Sequence, residues 1–500
     1  MQRKQLTLVI VSLLVVVLSV SLAYFTAQII GKGKDVSVTS ANLQIVFTDS
    51  DGALTETDIE PGWSATKTFT IKNDTKTEYK YNIVIKDLLN TFVTEGYLQY
   101  KITSTNDGYN MTEFKDIPKS STPKDTILAY SVVIPNGVTQ SYTIEFKYAN
   151  DESVDQSDDM GKKLSGTLFI TEGTEDPNKT LYNQLLVDKS TKLTRTDFSK
   201  VLTNDNTNTL YTSTEDSKTV YYFAGNATDN WVKFGKNASN QDLYWRIIRT
   251  NSEGSIRLLY HGTSTTATNA YIGTIKFNST YNDAMYVGYM YGTSGSQVNN
   301  RTNTNSSTIK GVIDTWYKDN LNSNYGKYLS ATAIYCNDRS VTSGTYSVSS
   351  SFGYSAKTRL DVNKTPTYNC ADTNDKFTAD TSTGNGKLTY PIALMTADEV
   401  SFAGGKYGSN APTWYYYNSA NESSTGSTWW WVLSPYIWDG SYAHVFGVHG
   451  SSWPGLLNSN LVLDTGGVRP VTSLKSCVKY SSGDGTATNP YTIQETTSGC

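Results

Sequence analysis

Histidine is almost missing from this chain, with three residues among 500, and cysteine is nearly as scarce, with four. No CxxC or HxxxH spacing occurs, so a zinc site has too few ligands to assemble, and no metal or other cofactor is expected. Charge is thin as well: 42 Lys and Arg face 46 Asp and Glu, a net charge of -4, and no long basic run interrupts the chain. That excludes a nucleic-acid-binding surface. After residue 30 no further long hydrophobic run appears, which excludes a multi-span helical membrane protein. What the chain has instead is tyrosine, 36 of them among abundant Ser, Thr, Asn and Gly, the composition of strands and turns in a β-rich extracellular protein. Five hundred residues exceed one ordinary core, so two or three domains are expected.

Arg3 and Lys4 precede an apolar run from Leu6 to Ile30, which marks residues 1–30 as a signal peptide or membrane anchor. Small residues at Ser21, Ala23 and Ala27 offer cleavage sites, while the run is also long enough to span a bilayer. Either way the chain is exported, to be secreted or displayed at the cell surface, and it touches membrane only through Leu6–Ile30 if that segment is kept. In an oxidising compartment Cys336, Cys370, Cys477 and Cys500 become disulfide candidates, with three pairings open. Proximity favours Cys336 with Cys370 and Cys477 with Cys500. Closing a loop of roughly 35 residues adds about 3–4 kcal/mol by restricting the unfolded chain.

From Asp35 to Gly173 hydrophobicity alternates with period two. Tyr81, Ile83 and Ile85 form one run and Tyr142, Ile144, Phe146 and Tyr148 another, Phe69 and Ile71 follow the turn Glu60-Pro61-Gly62, and Leu164 to Ile170 supply a last strand. Residues 35–173 read as an Ig-like antiparallel β-sandwich serving as a stalk. Together with Ala23-Tyr24-Phe25-Thr26-Ala27, this part resembles the N-terminal sandwich of exported bacterial matrix and surface proteins of the TasA and camelysin kind. The resemblance implies a spacer that can also polymerise. A polar break at 172–177, a short helix from Leu181 to Leu186 and a Thr/Asn/Asp-rich stretch then make 174–214 an expected linker.

A second domain, 215–480, opens with strand-like text at Tyr221 to Asn226, Trp231 to Phe234 and Leu243 to Arg249. Ser255 to Leu259 returns over the turn Asn251-Ser252-Glu253-Gly254. Ile309, Val312, Ile313 and Trp316 keep helical spacing, and Thr396-Ala397-Asp398-Glu399 is a capping box before Val400 and Phe402. Polar insertions at 292–307, 340–357 and 371–386 are expected as surface loops, and 481–500 as a polar tail. The fold class expected is mainly β with an α+β second domain.

The stretch Trp429 to Val471 carries the functional expectation. Short strand-like pieces, Val432-Leu433-Ser434-Pro435, Ala443 to Val448 and Gly467-Val468-Arg469-Pro470-Val471, alternate with large aromatic and polar side chains on turns. Rigid aromatics among Ser, Gly and Asn compose binding surfaces, because Tyr and Trp supply contact area at low entropy cost. The candidate ligand-binding residues are Trp438, Tyr442, His444, His449, Trp453, Leu457, Asn458, Asn460 and Asp464. The triplet Trp429-Trp430-Trp431 is expected to be mostly core, since three consecutive indoles cannot all face water cheaply.

As an ordered set, YWRIIRT at 244–250, YPIALMTADEVSFAGG at 390–405, WWWVLSPY at 429–436 and GGVRPV at 466–471 resemble a family of surface proteins from gut Gram-positive bacteria. That family's C-terminal domain resembles the C-type-lectin fold of the formylglycine-generating-enzyme type. Within this fold the nearest functional analogy is to targets of diversity-generating retroelements, in which a fixed frame surrounds variable ligand-contacting positions. The analogy makes Leu433-Ser434-Pro435, Ala443, Val445 to Val448 and Val468-Arg469-Pro470 the frame, and the nine candidates the variable face.

An enzymatic reading of His444, His449, Asp439 and Asp464 as a hydrolytic or metal cluster finds no Ser/His/Asp spacing to support a nucleophile, so no enzyme is expected. Calcium-dependent sugar binding in the manner of animal lectins lacks its Glu-Pro-Asn and Gln-Pro-Asp triplets, although a structural ion stays open. Arg469 either reaches a carboxylate ligand or makes a buried ion pair or backbone contacts. The leading expectation is an adhesin-like surface protein that binds a bacterial or host glycan or a surface protein. The competing one is a structural cell-surface or matrix protein without a soluble ligand.

Overall fold

The computed structural model describes the strands Thr26–Ile29, Val36–Ser40, Leu43–Asp49 and Leu54–Glu56 by their backbone. From residue 59 it describes the chain apart from 112, 175, 177–178, 268–269, 419–428 and 451 and the side chains of 417–418. Most of the expected export segment, residues 1–25, lies outside the described residues. Its last residues correct the expected boundary at 30: Thr26–Ile29 pair in parallel with Lys163 to Gly166 and antiparallel with Leu54–Glu56. Among the described residues no helix is long and apolar enough to cross a membrane. The chain divides into two compact units, Met1–Pro177 and Asn178–Cys500.

The first unit is built of two sheets. One has the order Leu54–Glu56, Thr26–Ile29, Lys163–Glu172, Tyr79–Asn90, Ser120–Ile134; the other runs Val36–Ser40, Leu43–Asp49, Ser64–Asn73, Thr139–Tyr148, Leu98–Ser104, Lys115–Asp116. Period-two alternation places Phe69, Ile71, Ile144 and Phe146 of one sheet and Ile83, Ile85, Leu168 and Ile170 of the other in one shared core. The core has a polar seam where the Tyr81 hydroxyl donates to Gln140 Oε1 at 2.6 Å. Burial dominates the raised pKa of Tyr81, so that hydroxyl stays protonated.

The second unit carries two large sheets around one large core, with a smaller separate cluster of Tyr211, Val220, Tyr222, Ala224, Tyr368 and Phe402. The first follows the order Thr191–Thr194, Thr209–Glu215, Lys218–Tyr222, Asp242–Thr250, Trp231–Lys236, Tyr491–Ile493, Tyr480–Ser482. Ile256–Gly262 joins it on Asp242–Thr250 and continues to Val471–Leu474 and Ile392–Ala393. The second sheet is centred on Trp430–Trp438, with Phe352–Tyr354 and Ala443–Val448 as neighbours and Leu457–Leu461 beyond. In the helix Thr308–Asn320 the buried stripe is Ile309, Ile313 and Tyr317, while Val312 and Trp316 are half-buried. Both disulfides take the proximal pairing, Cys336 with Cys370 and Cys477 with Cys500, at Cα separations of 5.7 and 5.6 Å.

Three segments expected to be peripheral are integrated instead. The supposed linker holds the helix Leu181–Asp188, capped by Thr180, which buries Leu181 and Leu185, and Thr191–Thr194 pairs with Thr209 to Thr212. In the supposed tail Tyr491 is buried and pairs with Val232 of the large sheet. Within the polar insertions Phe352 and Tyr354 are buried, and buried Asp375 meets Arg339 Nε at 2.6 Å. In each case a few apolar or charge-matched residues inside polar text find partners distant in sequence.

The two large sheets are joined by buried charge. Glu399 closes the capping box of the helix Ala397–Ala403, one carboxylate oxygen accepting from the Thr396 N–H at 2.9 Å. Its other oxygen meets Arg249 Nε at 2.9 Å and Arg257 Nε at 2.8 Å. Arg249 also binds Glu215 at 2.9 Å. Burial opposes the charge of Arg249, but its two carboxylates outweigh that and hold it above the ordinary arginine range. Beside it Asp398 holds Arg359 at 2.9 Å, and Arg359 in turn holds Asp338 at 2.6 Å. Ser434 of the second sheet accepts from the Ala397 N–H at 2.9 Å. The cluster encloses a cavity of about 20 Å³, room for a single water.

Breaking one partner of a buried ion pair costs about 3–5 kcal/mol, because it strands the other charge. Glu399→Gln, which strands Arg257 and leaves Arg249 with Glu215 alone, should lower the unfolding free energy of the second unit by about that amount in urea titrations. The same change at exposed Glu495 should stay within about 0.5 kcal/mol.

Candidate ligand-binding face

Three strands carry the candidate residues. Trp430–Trp438 pairs with Ala443–Val448, which pairs with Leu457–Leu461 in the register Val445 to Asn460 and Gly447 to Asn458. The frame residues Leu433, Ser434, Ala443, Val445, Phe446, Val448, Val468 and Arg469 are all buried. That gives the outer side chains a rigid footing.

At one end of the hairpin the chain turns through Asp439 to Tyr442. Asp439 Oδ1 accepts the Ser441 and Tyr442 N–H groups at 2.8 and 2.7 Å, and its Oδ2 lies 3.0 Å from His444 Nε2. Burial opposes ionisation of Asp439, but these donors together hold its carboxyl below the usual range. Gly440 supplies the φ of 97° that the turn needs. Tyr442, 39% exposed, stacks on Tyr281 with centroids 5.2 Å apart.

At the other end Trp429 lies over two glycines. A Cβ on Gly466 would fall 2.6 Å from the indole, which bars a larger residue there, and one on Gly447 would fall 3.0 Å from it, a tight contact that the ring would have to yield to. His449 stacks nearly parallel to the same indole at 6.0 Å, and Asn460 Nδ2 stands 3.4 Å from His449 Nε2. Asn458 and Asn460 are both half-buried. Trp453 is 58% exposed in the following turn, which His449 closes by donating its N–H to Leu456 O at 2.8 Å. Half-buried Asp464 accepts the Leu461 N–H at 3.1 Å and holds the next turn.

The nine candidates therefore do not form one patch. His444 and His449 sit at opposite ends of one strand, roughly 17 Å apart at 3.4 Å per residue. Two candidates are corrected outright: Trp438 is 1% exposed and Leu457 is fully buried. Trp438 was expected on a loop after Pro435, but the strand continues to residue 438 because Phe352 pairs with it from a distant segment. Leu457 faces inward opposite Val448. Trp429, expected with its neighbours in the core, is the half-buried member of its triplet, whereas Trp430 and Trp431 are fully buried. The signal for it was the pair of glycines at 447 and 466. Among the described residues no three His, Cys, Asp or Glu side chains gather as a metal site.

Burial pushes the His449 imidazole below its ordinary 6.5, and fully buried His261 lies well below it for the same reason, helped by Arg469 and Arg246. Both rings hold their protons less tightly when folded, so as pH falls through 6.5 the unfolded chain binds protons first. Stability at neutral pH is therefore lost as pH falls from 6.5 towards 5, by up to about 1.4 kcal/mol per pH unit for each ring. Urea titrations across that window should show the decline, and His261→Phe should flatten most of it.

The chain matches no family model and no curated protein. Among solved structures it is similar to AvmM, which catalyzes macrocyclization in alchivemycin A biosynthesis, with 11% identity over 30% of this chain and 100% of that one. The TM-score of 0.16 is too low for that likeness to inform either fold or function.

Proposed function

We propose that this is an exported surface protein whose C-terminal, C-type-lectin-like unit binds a glycan on the face formed by Trp429, His449, Asn458 and Asn460, with Trp453 at its rim. The observation that carries this reading is the Trp429 indole, seated on Gly447 and Gly466 with the His449 imidazole beside it, the Asn460 amide 3.4 Å from that imidazole and Asn458 opposite Gly447 in the sheet. A flat, partly exposed ring stacks on the C–H face of a sugar, and neighbouring amides supply both donors and acceptors for its hydroxyls. The frame beneath is buried, so the face is preformed and little ordering entropy opposes binding. The same division of buried frame and outer side chains supports the analogy to diversified binding proteins. In the first unit, an immunoglobulin-type sandwich is the stalk.

A second reading, assembly through the first unit, is favoured by one feature. Ser120–Ile134 is a 15-residue strand at a sheet edge, paired on one side only among the described residues and exposed along its first half.

Binding to a panel of immobilised oligosaccharides discriminates between them. Trp429→Ala with Asn460→Ala should weaken capture at least tenfold, about 1.4 kcal/mol or more, while the melting temperature moves by a few degrees at most. Trp438→Ala should instead cost about 3–5 kcal/mol of stability, as removal of a core indole does. Unchanged capture by the double variant would sink the glycan reading, and concentration-dependent polymers without capture would favour assembly.

A further inference from the structure

Most of the buried or nearly buried guanidinium groups of the second unit have a carboxylate. Arg249 and Arg257 share Glu399, Arg301 meets Asp372, Arg339 meets Asp375, and Arg359 meets Asp338 and Asp398, all within 2.6–2.9 Å. Arg246 and Arg469 break the pattern. Arg246 donates to Asn230 Oδ1 and Ala227 O, each at 2.6 Å. Arg469 donates to Tyr260 O at 3.1 and 3.2 Å and to Tyr416 O at 3.2 Å. No described carboxylate bonds either one, and the acid that bears on Arg246, Asp229, is held by Lys189 at 2.8 Å.

The two cations share one neighbourhood. Trp231 pairs with Arg246, and Arg246 pairs with Leu259. Opposite Tyr244 and Trp245 the partners are Gly262 and Tyr260, so His261 is the extra residue of a bulge, which re-aims its side chain. Its ring meets Trp231 edge-on at 4.4 Å, and Arg246 covers the same indole at 4.1 Å. Arg469 lies 4.9 Å from the Trp430 ring, and Tyr415 and Tyr416 bridge the cations, one ring 5.4 Å from Arg246 and one carbonyl on Arg469. His261 is fully buried with neither ring nitrogen hydrogen-bonded. Two buried positive charges and an imidazole N–H thus lack an acceptor of opposite sign, an arrangement that carbonyl dipoles compensate only in part. A water would offer an acceptor but no charge.

We propose that Arg246, Arg469 and His261 bind a small monovalent anion, of halide size, in the interior of the second unit. All three side chains are buried beneath aromatic rings, so the ion is enclosed as the unit folds and acts as a structural ligand.

Unfolding of the full chain at pH 7.5 should be followed in sodium bromide and in sodium gluconate at equal ionic strength. The midpoint should rise with bromide beyond its value in gluconate, by equal steps for each tenfold increase once the site is filled. Arg469→Met should erase that bromide-specific rise. Should that variant not fold, crystals of the wild-type chain grown in bromide provide the second measurement, with an anomalous peak expected beside both guanidinium groups and His261. Equal midpoints in the two salts would overturn the proposal, as would bromide peaks confined to the surface, an adventitious ion only.

Discussion

The second unit depends on where one carboxylate goes. Glu399 fixes the first turn of its own helix and, with Glu215, neutralises two arginines from adjacent strands, so helix and sheet cannot move independently without leaving charge unpaired in a low-dielectric interior. Asp398, the preceding residue, ties down the Arg359 segment, and Ser434 hangs the central strand of the second sheet from the N–H of Ala397. Three of the four sequence motifs from which the resemblance starts therefore meet in one buried network. Their residue types answer first to electrostatic closure of the core. The candidate face inherits its position from that closure.

Four strands of the first unit, Ser64–Asn73, Tyr79–Asn90, Thr139–Tyr148 and Lys163–Glu172, could be read from sequence because their inward residues recur with period two along much of their length. The capping box at Thr396 and Glu399 was legible for a similar reason, since its chemistry is local. What sequence could not supply was pairing at a distance. Phe352 sits in serine-rich text that looks like a loop, yet its strand extends the one containing Trp438 and so moves that indole from surface to interior. Leu210 and Tyr491 belong to polar stretches and are core because a sheet edge was waiting for them.

The candidate face shows the same limit at finer grain. Residue type identified a region rich in contact-making side chains, but facing is decided by register, and a hairpin with bulges between Trp431 and Ile437 does not keep simple alternation. Tyr442 and His444 thus fall at one end of the hairpin and His449 and Asn458 at the other, while Asn460, opposite Val445, reaches His449 through its side chain. Trp429 was hidden by its neighbours, because a run of three indoles reads as core although its first member stands outside. The two glycines that accommodate it lie 18 and 37 residues further along, counted from 429 to 447 and 466.

The strand Tyr491–Ile493 lies parallel to Trp231–Lys236, and the disulfide from Cys477 to Cys500 fastens the segment that carries it. The sheet consequently contains neighbours some 260 residues apart, counted from Val232 to Tyr491. On a chain emerging N-terminus first, the first unit has all its strands by residue 172 and can close early, whereas the second must hold an unfinished sheet edge until its last strand arrives. The order of emergence thus favours a first unit that is finished while the second is still assembling.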